Sequence, residues 1–172
     1  MKKIIMAVII MTAAVCAYAD GFRVYLPDVG KVFSNAQVFN GFGCSGENKT
    51  PSVKWENPPK GTQSFALTMY DPDAPTGSGW WHWIVTDIPA GVKEIDSGSL
   101  PEGAVNMNTD FGQPGYGGPC PPVGQNHRYI ITLHALKVKS LGVPPQASGA
   151  MTGFMINANT IEKTSVTVRY GR

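Results

Sequence analysis

The sequence predicts a mainly antiparallel β domain, a sandwich with one helix packed on it, on three observations. Glycine and proline are abundant, at 20 and 14 residues, and they break the chain into short apolar runs. Several of those runs alternate with period two or are rich in β-branched and aromatic residues, as half-buried strands are. One later stretch carries helical spacing instead.

Taken in order, the chain opens with Lys2 and Lys3, an uncharged apolar run from residue 4 to about 15, and Ala17-Tyr18-Ala19. That is the three-part layout of a secretory leader, with an apolar core too short to span a bilayer. Residues 1–19 are read as a signal peptide, cleaved to leave Asp20 first, and residues 20–172 as a single domain. Cys16 does not make a lipoprotein signal, because Val15 stands where a small residue is wanted. The expected location is the periplasm after export, with release from the cell left open, and no membrane-spanning segment remains after cleavage.

Export changes the charge. The full chain has 14 Lys+Arg against 12 Asp+Glu. Without Lys2 and Lys3 the mature chain has 12 of each. No basic cluster remains to follow a phosphate backbone, so nucleic acid is not an expected partner. A neutral surface is compatible with a homodimer. Cys44 and Cys120 are the cysteines left; in an oxidising compartment they can pair and close a long loop, although spacing alone does not place their Cα atoms within bonding range.

Residues 65–70 alternate, with Phe65, Leu67 and Met69 on one face. Residues 83–86 and 129–136 read as strands by composition, and 165–170 alternates again. Weaker strand candidates are 24–26, 32–39, 52–55 and 105–108. The helix is expected over 146–158: Pro144-Pro145 precede it, and Ala147, Ala150, Met151, Phe154 and Ala158 recur at spacings of three and four.

The chemistry gathers where strands end beside prolines, which stiffen the backbone. Asp71 is in phase with Phe65, Leu67 and Met69, so its carboxylate points inward and needs partners. Asp73 follows across Pro72. Either carboxylate could instead organise the turn by accepting backbone N–H bonds. Residues 76–79 are turn-like, and a hairpin there brings His82 near the aspartates. Trp80, Trp81 and Trp83 around it suit either a core face or a cleft wall. His127 and Tyr129 share a strand face while Arg128 points away, and both can donate to an anion. The Gly-Gly-Pro-Cys-Pro-Pro loop before them lets backbone come close to whatever they touch.

Together these residues could form an anion pocket, hold a metal, or pair a base with a nucleophile. Against catalysis, the chain has no G-x-S-x-G elbow and no H-E-x-x-H, and Ser78 lies in a loop without a nucleophile signature. A non-catalytic role is expected, with no metal and no cofactor.

Asp71-Pro72-Asp73-Ala74-Pro75, then Trp80-Trp81-His82-Trp83, then Gly118-Pro119-Cys120-Pro121-Pro122 with His127-Arg128-Tyr129 resemble, in that order, the phosphatidylethanolamine-binding protein family. Within it the chain is similar to the bacterial Raf-kinase-inhibitor-like branch, which Cys44 and Cys120 also suit. The likeness includes residues 52–55 and runs from about Gly43 to the last residue. It implies an antiparallel β-sandwich with a large central sheet, one or two peripheral helices and a small anion-binding cavity at one end. It further implies ligand contacts from Asp71, Asp73, His82, Pro121 or Pro122, His127 and Tyr129, with Trp80 as a wall. Members bind phosphate-like and phosphoethanolamine groups, and eukaryotic members inhibit kinases and other signalling enzymes. A protein partner is therefore a further expectation. Arg172 stands soon after the last strand where mammalian members add a helix, which implies a more open site.

Overall fold

The computed structural model describes residues 21–172. The expected leader, residues 1–19, and Asp20 lie outside the described residues. Ten strands and one helix follow in order: β1 Arg23–Tyr25, β2 Asn40–Gly41, β3 Cys44–Ser45, β4 Val53–Glu56, β5 Ser64–Asp71, β6 Trp80–Pro89, β7 Glu94–Ile95, β8 Val105–Asn106, β9 Asn126–Leu136, α1 Gly149–Asn159 and β10 Thr160–Gly171.

The large sheet has the strand order β10-β9-β5-β6-β8 and is antiparallel throughout. A second sheet, β1-β4-β7, covers one of its faces. Period-two alternation explains the main core between them. Phe65, Leu67 and Met69 of β5 pack there with Tyr129, Ile131 and Leu133 of β9 and with Val24, Val53, Trp55 and Ile95 of the smaller sheet. The fold is therefore the mainly β sandwich that the sequence predicts. The other face is covered too: Ala66, Ile84 and Leu136 meet Ile156 of α1, Met107 and Leu141. A central strand buried on both faces reads as a near-continuous apolar run, and β5 does.

Local chemistry sets α1. The helix starts at Gly149, three residues later than the spacing suggests, because the Ser148 hydroxyl accepts the Met151 N–H at 3.2 Å and caps it. Gly149 lies flat on the Trp81 ring; a Cβ there would stand 2.6 Å from Trp81 Cδ1. The expected strand at 32–39 is absent. Val32 makes a single bridge to Arg169, and the chain then turns, with the Ser34 and Gln37 side chains bonded at 2.9 Å and the Gln37 N–H donating to the Ser34 carbonyl. Polar side chains that bond to their own turn compete with a ladder, and here they prevail. β10 is longer than expected, twelve residues, because β9 offers it a partner along its whole length.

Cys44 and Cys120 form a disulfide, with S–S 2.09 Å and Cα–Cα 6.0 Å. It ties the β2–β3 hairpin to the loop that precedes β9. No helix among the described residues is long and apolar enough to cross a membrane.

Candidate functional site

The large sheet ends, at the last residue of β5 and the first residues of β6 and β9, in a cavity of about 170 Å³. Asp71, His82, His127 and Tyr129 line it, with Trp80, Phe111, Phe42 and the Pro121–Pro122 turn among its walls. Asp71 is its organising group. As the in-phase alternation requires, its side chain is buried. Oδ1 accepts the N–H groups of Asp73 at 2.8 Å and Ala74 at 3.1 Å, and Oδ2 accepts His127 Nδ1–H at 2.8 Å. The turn-organising role and the pocket role, which look like alternatives in sequence, belong to the two oxygens of one carboxylate.

His82 arrives by a different route. Along β5 and β6, Asp71 pairs with Trp80, Tyr70 with Trp81 and Met69 with Trp83, so His82 is the extra residue of a β-bulge. Bulges re-aim side chains, and this one separates the three tryptophans. Trp83 enters the main core, Trp81 goes under α1, and Trp80 lines the cavity. The His82 ring is clasped edge-on by Tyr129 and Phe111, at centroid distances of 5.1 and 5.5 Å. Its Nδ1–H donates to the Gly117 carbonyl at 2.7 Å, which turns Nε2 toward Asp71 Oδ2 at 4.0 Å.

Burial pushes the His82 imidazole down to about 4, outweighing the Gly117 carbonyl and the Asp71 charge, which act to raise it. The ring is uncharged at neutral pH, so the 4.0 Å approach is not an ion pair. Burial foremost, then the Asp71 charge, raises the Tyr129 phenol far above its ordinary value. The Tyr129 hydroxyl has no hydrogen-bond partner among the described residues. His127 Nε2 meets the Gln125 side-chain amide at 2.7 Å, so both of its ring nitrogens are engaged.

The remaining expected site residues divide. Trp80, Pro121 and Pro122 line the cavity. Asp73 does not. Its carboxylate grips Arg128, accepting from Nη2 at 2.6 Å, Nε at 2.9 Å and the backbone N–H at 2.9 Å. Arg128 points away from the cavity as the strand alternation requires, and takes Asp73 with it. These Arg128 hydrogen bonds hold the Asp73 carboxyl down at about 2. Gly118 does provide close approach, but to protein: a Cβ there would lie 2.0 Å from the Gln37 carbonyl oxygen.

Sequence reasoning missed Phe42, Phe111, Gln125 and Arg172. Phe42 is 67% exposed, stands at φ +52° between two glycines, and stacks on Phe111 at 5.9 Å. Arg172 fastens this rim, donating to the Pro121, Gly43 and Phe42 carbonyls at 2.7, 2.7 and 3.2 Å. Neither loop carries a periodic signal; an aromatic beside glycine was the one available hint. Among the described residues, no three His, Cys, Asp or Glu side chains stand where they could hold a metal ion.

A model of the family described as phosphatidylethanolamine-binding protein matches residues 29–171. The chain belongs to the phosphatidylethanolamine-binding protein family. It is 44% identical to UPF0098 protein YbcL of Escherichia coli over 180 residues, covering 99% of this chain and 98% of that protein. It is also 44% identical to UPF0098 protein YbhB of the same organism, over 82% of this chain and 93% of that one. The crystal structure of E. coli YbcL, described as a new member of the mammalian family, superposes with a TM-score of 0.85 at 45% identity, over 88% of this chain and 98% of that chain. A Chlamydia trachomatis homologue shares the family fold at a TM-score of 0.78 and 22% identity.

Proposed function

We propose that this protein is an exported, non-catalytic member of the family that holds a small phosphorylated or otherwise anionic group in the Asp71–His82–His127 cavity. One observation carries the reading: a small cavity whose buried polar groups, Asp71, His82 and His127, lie among aromatic and proline walls. At about 170 Å³ it lies below the roughly 300–1,000 Å³ of sites for whole drug-sized ligands, so it suits a head group such as phosphate or phosphoethanolamine. A non-catalytic role is supported by the lining's thiol and aliphatic hydroxyl: Cys120 is held in a disulfide and the Thr76 hydroxyl is bonded to the Gly79 carbonyl, so neither is an activated nucleophile.

Calorimetric titration of the purified protein with phosphate and with phosphoethanolamine tests the reading. Saturable binding that is lost in a folded His127→Ala variant is expected; absence of binding, or binding unchanged in the variant, overturns it. The periplasmic location rests on the leader at residues 1–19. Osmotic-shock fractionation should release a product whose mass begins at Asp20.

The second reading is a surface-mediated role, inhibiting a partner enzyme or acting on a host process, as kinase-inhibitor-like members do. It is favoured by Met151 and Phe154 of α1, which are 54% and 69% exposed and do not belong to the cavity lining. Pull-down with α1 variants and with cavity variants distinguishes the two surfaces.

A further inference from the structure

The hydrogen-bonding capacity of the cavity base is unequal in kind. His82 spends its one N–H on the Gly117 carbonyl, so Nε2 presents a lone pair. His127 has both nitrogens engaged, by Asp71 and by Gln125. Asp71 Oδ1 accepts two backbone N–H groups, while Oδ2 accepts one bond and keeps a free lone pair. The Gly118 N–H is donated to Asn48, and Pro121 and Pro122 have none. What remains toward a ligand is a pair of acceptors, Asp71 Oδ2 and His82 Nε2, 4.0 Å apart, with the unpartnered Tyr129 hydroxyl nearby. A hydroxyl oxygen between the two acceptors can lie at hydrogen-bonding distance, about 2.7 Å, from either.

We infer that the cavity selects an anion that itself carries a hydrogen-bond donor, a hydrogen phosphate or a protonated phosphate monoester, and rejects donor-free anions of the same shape such as sulfate. The P–OH donates to Asp71 Oδ2 or His82 Nε2. Sulfate brings only acceptors, and would set oxygen lone pairs against a buried carboxylate. A site built to bond a ligand's hydroxyl discriminates strongly against an analogue without it, because the buried groups are then left unpaired. His82 does not relieve the conflict by taking up the proton. Facing it are Asp71 from β5, His127 and Tyr129 from β9, Asp110, and the Gly117 and Gly118 carbonyls, and burial still holds the ring uncharged down to about pH 4.

This deepens the anion-site reading and rests on it. The test is calorimetry of the purified protein at pH 7.5 and matched ionic strength, with inorganic phosphate and with sulfate as probes. Phosphate should bind saturably and sulfate more than tenfold more weakly. Sulfate within tenfold of phosphate overturns the donor requirement alone, whereas no binding of either overturns the anion site and this inference together. Methyl phosphate separates an ester head group from free phosphate. A monoester keeps its P–OH only below a second pKa near 6, so its binding should tighten more than tenfold from pH 7.5 to 5.5. Equal binding at the two pH values overturns the assignment. In a folded Asp71→Asn variant, whose amide can donate, the deficit of sulfate should shrink; an unchanged ratio counts against Asp71 as the selecting group.

Discussion

Asp71 and Asp73 are the same residue type, two apart across Pro72, and the fold gives them opposite tasks. Asp71 is 3% exposed and bonds two backbone N–H groups and His127. Asp73 lies on the outer side of the turn, its carboxylate more than a quarter exposed and clasped by Arg128. The first carboxylate organises a cavity; the second pins the start of β9 to the turn. Motif identity is thus no guide to role when a turn intervenes, because the period-two rule that points Asp71 inward stops at the end of β5.

The widest test of the contrast is pH. His82 and His134 are both held down to about 4 by burial, against an ordinary 6.5. A buried group whose folded value lies below its unfolded one makes the unfolded state bind more protons between the two values. Stability is therefore full above pH 6.5 and falls as pH drops to 4, by about 3 kcal/mol for each histidine. Asp73 acts in a lower window: its contribution is present above pH 3.8 and is lost toward pH 2. Urea unfolding from pH 7 to 4 should show the steep fall before Asp73 titrates; a flat profile to pH 4 would remove His82 from the buried network.

Next in size is Asp71→Ala. It strands the His127 Nδ1–H and the Asp73 and Ala74 N–H groups, and each buried donor left unpaired costs about 1–3 kcal/mol. The midpoint of denaturant unfolding checks it, and a change under 1 kcal/mol would erase the distinction between the two aspartates. The disulfide supplies a scale between them. Replacing Cys44 and Cys120 by serine should lower stability by about 2–4 kcal/mol and make the melting temperature insensitive to reductant. Smallest is Asp73→Asn, an exposed pairing, with a shift in Tm of at most about 3 °C and anion binding unchanged. A larger loss of binding than of stability would return Asp73 to the cavity.

Much of this was legible beforehand. The alternation of Phe65, Leu67 and Met69 placed β5, its inner face and Asp71 at its end, and the proline-flanked stretches marked both sides of the cavity. His127 and Tyr129 share a face as their spacing requires. The bulge that makes His82 the extra residue of β6 was not legible, since a one-residue insertion is defined only against the partner strand. The rim was hidden for a related reason. Phe42, Phe111 and Arg172 come from three distant segments with no periodic signal, and a disulfide, three carbonyl contacts and the stacking of Phe42 on Phe111 bring them together.

By itself, then, the sequence determined the β-rich class, the inward aim of Asp71 and the family motifs, because these depend on side-chain period and local backbone restriction. Tertiary structure alone decided which hydrogen-bonding groups stay free at the cavity base. Freedom there is a matter of pairing: Gly117 consumes the His82 N–H, Gln125 and Asp71 consume His127, and Arg128 draws Asp73 away. No residue's type reveals which of its bonds its neighbours have already taken.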